Sequence, residues 1–252
     1  MKTIRTILER LSRGKIIKRK ITVNGQSLPL LVSPDAQLKY LKFGAGIFDQ
    51  DLINIAEKYL NEDSNVWDVG ANVGVFTFAA SSVAYKGTVV SIEADIWLAN
   101  ILRKTARLKT YTNKIIKILP VAISNKNSIA TFMIAERGRA SNALEAAGGH
   151  SQMGGVREKQ YVPTLTLDTL LENFPPPDFI KIDVEGAELM VLHGAESIIN
   201  KVRPKFYVEV GNETSKQILA LFQSANYTAY NPQGDKLTDS CAPNTFFFPD
   251  DK

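Results

Sequence analysis

Residues 65–75 read N-V-W-D-V-G-A-N-V-G-V. An apolar run reaching Asp68, then Gly70 and Gly74, describes a buried strand that breaks into a tight loop. The loop opens a helix predicted over 75–84, so a ligand can approach backbone at a helix N-terminus. Glu93 follows Gly74 by 19 residues and closes the next apolar run, T-V-V-S-I-E. A glycine loop between strand and helix, with an acidic residue ending the next strand, is the layout of a nucleoside site on a doubly wound sheet.

A dinucleotide site needs a middle glycine so that a pyrophosphate can touch the backbone. The order here is G-A-N-V-G, with the Asn72 side chain near that contact. Asp68 puts a carboxylate at the strand end, which suits a cation better than phosphates. S-adenosylmethionine has the matching chemistry: its ammonium suits Asp68, its ribose can offer both hydroxyls to Glu93, and adenine can lie near Ala94 and Trp97.

The chain has 252 residues, 44% of them hydrophobic, and no long polar tract, as expected of one substantial core. Its one cysteine, Cys241, excludes an intramolecular disulfide framework and a cysteine-based zinc cluster, and makes a reducing, cytoplasmic setting the default. No window approaches the length of a membrane span, and the N-terminus lacks a signal-peptide core. Residues 1–20 carry eight basic residues against Glu9, a formal +7, while the remainder carries −3. Ile4, Ile7, Leu8 and Leu11 recur at helical spacing. This segment therefore reads as a basic amphipathic helix, packed on the domain or lying peripherally on an anionic membrane or partner. Basic and aromatic residues are not concentrated near the cleft, so nucleic acid is not an expected partner.

Residues 1–44 read as a basic helix and a hairpin turning at Asn24-Gly25, and 45–252 as the catalytic domain. Within it a helix over 48–60 precedes strands over 65–70, 87–93 and 115–122, alternating with helices over 75–85 and 95–109. Strands over 129–134 and 161–165 flank a polar stretch. Strand 179–183, helix 186–200, strand 205–210 and helix 214–225 follow, and strands 227–230 and 245–248 pair at the end. The expected fold class is α/β: a Rossmann-like, doubly wound sheet, mostly parallel, with one antiparallel C-terminal strand.

D-V-G-A-N-V-G at 68–74, T-L-T-L-D at 164–168 and F-I-K-I-D-V-E-G-A-E-L-M-V-L-H-G-A at 179–195 together resemble the FkbM family of S-adenosylmethionine-dependent methyltransferases. The similarity spans about residues 45–250. It implies a class I methyltransferase fold and O-methylation of a hydroxyl on a sugar, glycolipid or secondary metabolite. It places Asp68, Gly70, Asn72 and Gly74 around the methionine part, Glu93 on the ribose, and Asp183 beside the reacting methyl. Ala71, Ala94, Ala122 and Asn142 complete the expected cofactor contacts.

Transfer from a sulfonium to a hydroxyl asks for alignment, exclusion of water and one proton acceptor. Asp183, Glu185 and Glu209 follow the fourth and fifth core strands, where open sheets bind ligands, and are the catalytic candidates. Glu188 reads as a helix-start carboxylate, His193 as a helix residue and His150 as a loop residue. The two histidines give no metal-ligand spacing, and no obligatory metal is expected. The competing functions are an NAD-dependent sugar-modifying oxidoreductase and a non-catalytic cofactor-binding module recruited by its N-terminal helix. The oxidoreductase reading is weakened by Asn72 and by the lack of a Tyr-x-x-x-Lys pair.

Overall fold

The computed structural model describes residues 2–42, 44, 46–148 and 153–250. A helix, α1 (Lys2–Leu11), leads into a hairpin of β1 (Ile17–Val23) and β2 (Gln26–Val32). Asn24 and Gly25 both take positive φ, 47° and 74°, as a two-residue turn matching the strand twist requires. The hairpin is not an appendage. Ile21, Val23, Leu28 and Leu30 share one core cluster with the helices that follow, and Tyr111 donates its hydroxyl to the Pro29 carbonyl at 3.0 Å.

Helix α2 (Gln50–Tyr59) is capped by the Asp49 carboxylate. Then come β3 (Val66–Val69), α3 (Val75–Val83), β4 (Thr88–Ile92), α4 (Ile96–Ala106) and β5 (Ile115–Leu119). The third expected strand stops there: after Pro120, β6 (Ala122–Ile123) leaves the main sheet and pairs elsewhere. β7 (Ser128–Ala135), β8 (Ala143–Leu144) and β9 (Val156–Leu165) join it in a separate four-stranded sheet, ordered β6-β9-β7-β8. α5 (Leu167–Leu170) and β10 (Phe179–Ile182) follow.

The helix expected over 186–200 is interrupted. α6 (Glu188–His193) ends at Gly194, and a wider turn over Ile198–Val202 resumes it. A Cβ at Gly194 would stand 2.3 Å from the Ser124 carbonyl oxygen, so chain crowding sets the break. The Asp168 carboxylate caps the restart by accepting from the amides of Ser197 and Ile198 at 2.8 and 3.0 Å.

β11 (Lys205–Glu209), α7 (Ser215–Ser224), β12 (Tyr227–Tyr230), β13 (Lys236–Leu237) and β14 (Asn244–Pro249) complete the fold. The main sheet runs β13-β12-β14-β11-β10-β3-β4-β5. β3, β4, β5, β10 and β11 are mutually parallel, and β14 enters antiparallel between β11 and β12. The two-residue β13 at the edge also runs against β12. This is the expected α/β fold, a doubly wound, mostly parallel sheet finished by antiparallel C-terminal strands.

Both faces of the central strands are covered, and every residue of β3, β4 and β10 is buried. Strand alternation divides them. Val66, Val89 and Phe179 pack toward α2, α3 and the hairpin, whereas Trp67, Val69, Val90, Ile180 and Ile182 pack toward α6 and α7. By the same alternation Asp68, Ser91 and Lys181 lie on the α3 side. Among the described residues no helix is long and apolar enough to cross a membrane.

Candidate active site

The parallel strands end together at a cavity of about 340 Å³, of a size suited to a small-molecule ligand. Gly70, Ala71, Asn72, Glu93, Ala94, Ala122 and Asn142 line one part of it, and Asp183, Glu185 and Glu209 another. Ten expected residues from six chain segments thus converge on one space. Two do not. Gly74 sits at the start of α3 with φ 89°, where its role is the turn itself. Asp68 also fails to line the cavity: it is fully buried behind it, accepting from the Thr77 hydroxyl at 2.5 Å with Lys181 Nζ 3.4 Å from its Oδ1. The expectation that Asp68 grips a ligand ammonium therefore gives way to a role in holding Lys181 and α3.

The glycine loop is also used differently from a phosphate cradle. The amides of Gly70 and Ala71 both donate to the Ile92 carbonyl at 3.0 Å, that of Gly74 to Ala71, and that of Asn72 to Glu93 Oε2 at 2.7 Å. With these donors engaged internally, the loop offers no nest for a pyrophosphate. Gly70 has a second constraint: at φ 77° its Cβ would stand 1.7 Å from the Asp183 carbonyl oxygen, so only glycine lets β3 and β10 end side by side. Asn72, at φ 52°, lines the cavity with its Oδ1 buried and lacking a hydrogen-bond partner.

Glu93 Oε1 accepts from the Asp95 amide at 2.8 Å. Each carboxylate oxygen keeps lone-pair capacity beyond its one backbone donor, enough for two ribose hydroxyls. Burial, helped by the Asp95 charge, pushes the Glu93 carboxyl up to about 8. An orphaned amide oxygen, an under-used carboxylate and apolar walls from Ala71, Ala94 and Ala122 fit S-adenosylmethionine. Asn142 serves as a brace: its Oδ1 accepts from the Ala135 amide, and its Nδ2 donates to Asp95 Oδ2 at 2.9 Å. Trp97 does not line the cavity, and its ring lies under the Arg139 guanidinium at 4.8 Å.

At the other part of the cavity, Lys181 Nζ stands 3.2 Å from Asp183 Oδ2 and donates to the Gly70 carbonyl. Burial disfavours the Lys181 ammonium, but Asp183 and Asp68 outweigh it and raise its pKa. Glu209 follows β11 beside Asp183, and burial and that neighbouring carboxyl raise its pKa. Glu185, at φ 51°, is pushed up to about 7 by burial and by Asp183. Glu188 is buried with Oε1 accepting from the Gly186 amide at 2.9 Å, which is a turn-capping role. His193 is exposed at the end of α6, and His150 lies outside the described residues.

Several lining residues went unseen in the sequence. Gln37, Lys39, Tyr40 and Asp49 enter from the stretch between hairpin and α2. Arg139 lines the cavity too, held by Asp35 at 3.0 Å and Asp95 at 2.5 Å, while Arg157 shares Asp35 at 2.9 Å. Only Lys181 left a local signal, being a lysine inside the apolar run F-I-K-I. Among the described residues, no group of three or more His, Cys, Asp or Glu is arranged to hold a metal ion.

A family profile described as "Methyltransferase FkbM domain" matches residues 68–229. The chain is similar to the hexuronic acid methyltransferase AglP of Haloferax volcanii, 25% identical over 156 residues, which cover 61% of this chain and 59% of that protein. Among solved structures it resembles a methyltransferase FkbM from Methylobacillus flagellatus, with 16% identity and a TM-score of 0.46 over 85% of this chain and 58% of that one. A SAM-dependent O-methyltransferase from Thermotoga maritima aligns with 10% identity and a TM-score of 0.47, covering 93% and 78%. With the profile spanning both the glycine loop and the Lys181–Asp183 strand end, the chain belongs to the FkbM family of methyltransferases.

Proposed function

We propose that this methyltransferase acts on oxygen, methylating a hydroxyl of a sugar, glycolipid or small secondary metabolite. The observation that carries the reading is the Asp183–Glu209 carboxyl pair, next in register at the ends of β10 and β11 and lining one cavity, with the Lys181 ammonium 3.2 Å from Asp183 Oδ2. Two adjacent carboxyls favour holding one proton between them, so the pair has one site for the proton of an acceptor hydroxyl. Lys181 offsets the remaining charge and fixes Asp183. S-adenosylmethionine, when bound, supplies an electrophilic methyl on a sulfonium, and transfer to oxygen sets the hydroxyl proton free. Glu93 and Asn72 hold the nucleoside end, while Asp183 and Glu209 receive that proton and orient the hydroxyl.

A saccharide acceptor suits this wall, because Asp49, Asp183, Glu185 and Glu209 offer several acceptors for neighbouring hydroxyls. AglP, whose substrate is by name a hexuronic acid, supports a glycosyl acceptor. Family membership sets aside the NAD-dependent oxidoreductase. The test is incubation of the protein with isotopically methyl-labelled cofactor and a panel of glycosides and polyols, followed by mass spectrometry of the products. A methyl ether on a sugar hydroxyl is expected. Label found on nitrogen or carbon would refute the assignment to oxygen, and cofactor binding without turnover on any acceptor would favour a binding module.

A further inference from the structure

We propose that α1 and the outer face of β1 dock this protein on an anionic lipid surface, at the wall of the cavity. Ile7, Leu8 and Leu11 are 51%, 43% and 62% exposed, and their spacing puts them on one side of α1. Among the described residues the other large exposed apolar side chains are isolated in sequence, with Ile129 and Tyr161 diagonal neighbours across β7 and β9. Around this group Arg10, Lys15, Lys18 and Lys20 are exposed, the last two on the solvent side of β1 by strand alternation, while Arg13 is paired with Glu136 at 2.6 Å. Ten residues reach about 15 Å, half a bilayer core, so the helix lies on a surface instead of crossing it.

Charge selects the occupant. An apolar stripe alone would accept a second copy of this chain, but two faces each surrounded by four cations not paired with a carboxylate among the described residues repel one another. An anionic bilayer satisfies both the stripe and the cations. Nucleic acid would satisfy only the cations.

The surface is tied to the cavity. The Gly14 amide donates to Asp35 Oδ2 at 3.4 Å, and Asp35 holds the cavity residue Arg139. Arg19 Nε donates to the carbonyl of Tyr40, itself a lining residue, at 3.0 Å. Docking there brings the site close to headgroups, so the acceptor hydroxyl belongs to a lipid-borne glycan; this last step rests on the O-methylation reading.

The test is sedimentation of the full chain with phosphatidylcholine vesicles, with and without phosphatidylglycerol, in the absence of any acceptor. Binding to the anionic vesicles alone is expected, weakening as salt rises. Removing Lys18 and Lys20 together should lower partitioning about fivefold per charge. The exposed double change Leu8→Glu and Leu11→Glu should abolish it while leaving adenosylhomocysteine affinity intact. Equal binding to uncharged vesicles, binding to RNA but not vesicles, or loss of a dimer in the leucine variant without vesicle binding would each overturn the proposal. Because no methyl transfer is read, its failure is separate from failure of the O-methylation reading.

Discussion

The Lys181 ammonium stands 3.2 Å from Asp183 Oδ2, and the two residues lie two apart, on the same side of the chain as it leaves β10. The same ammonium is 3.4 Å from Asp68 on the neighbouring strand β3. One buried cation therefore ties together the two acidic strand ends that flank the glycine loop. Replacing it as Lys181→Met keeps the volume but leaves the buried Asp68 charge with the Thr77 hydroxyl and no cation. Breaking a buried pair in this way costs about 3–5 kcal/mol. Denaturant unfolding should show a loss of that size, and a change below about 1 kcal/mol, the range of exposed pairs, would contradict the tie.

Asp183→Asn keeps the shape of the side chain and removes its proton-accepting charge. Turnover should fall by about a hundredfold, the lower end of general-base contributions. Adenosylhomocysteine affinity, read by calorimetry, should stay where it was. Equal loss in both would make Asp183 a cofactor residue, and unchanged turnover would remove it from the chemistry.

Glu93 gives a pH signature. Its folded carboxyl lies at about 8 against an ordinary 4.5, so between those values the folded chain binds a proton that the unfolded chain has released. Stability from this group is accordingly lost as pH rises through that window. The charged form is the better acceptor for ribose hydroxyls, so adenosylhomocysteine affinity should strengthen from pH 6.5 toward 8. Glu93→Gln should flatten that dependence and weaken binding by about 1.5–3 kcal/mol, as for a charged hydrogen bond. Titration calorimetry across the range decides it.

Asp35 carries a prediction of the opposite sign. Burial pushes its carboxyl up, but Arg157 and Arg139 outweigh that and hold it below the ordinary 3.8. Its contribution is present above that pH and lost as pH falls below it. Asp35→Ala should cost about 3 kcal/mol, because Arg157 loses its carboxylate partner in a nearly buried position. It should also loosen Arg139, which shares Asp95 with the Glu93 end of the cavity, and weaken adenosylhomocysteine affinity; chemical denaturation and calorimetry check the two effects.

Much of the site was legible because strand ends and tight turns leave local marks. Glycines at 70 and 74 announce positive φ, Glu93 closes an apolar run, and Asp183 ends another. What could not be read was the direction of a side chain in a buried strand. Asp68 looked like a ligand residue from its position in the motif, but alternation along β3 turns it toward Thr77 and Lys181. Asn142 was picked as a cofactor contact; it does line the cavity, but its amide is committed to Ala135 and Asp95.

By itself the sequence determined the alternation of strand and helix, the glycine turn and the acidic strand ends, since these depend on hydrophobic period and local backbone sterics. Only the tertiary structure decided that β6 to β9 form a second sheet, that Gly194 breaks a helix against Ser124, and that Tyr40 and Arg139, the latter held by Asp35, reach the cavity. Those outcomes depend on contacts between residues far apart in the chain, where burial, close packing and charge pairing select a partner that no neighbouring residue specifies.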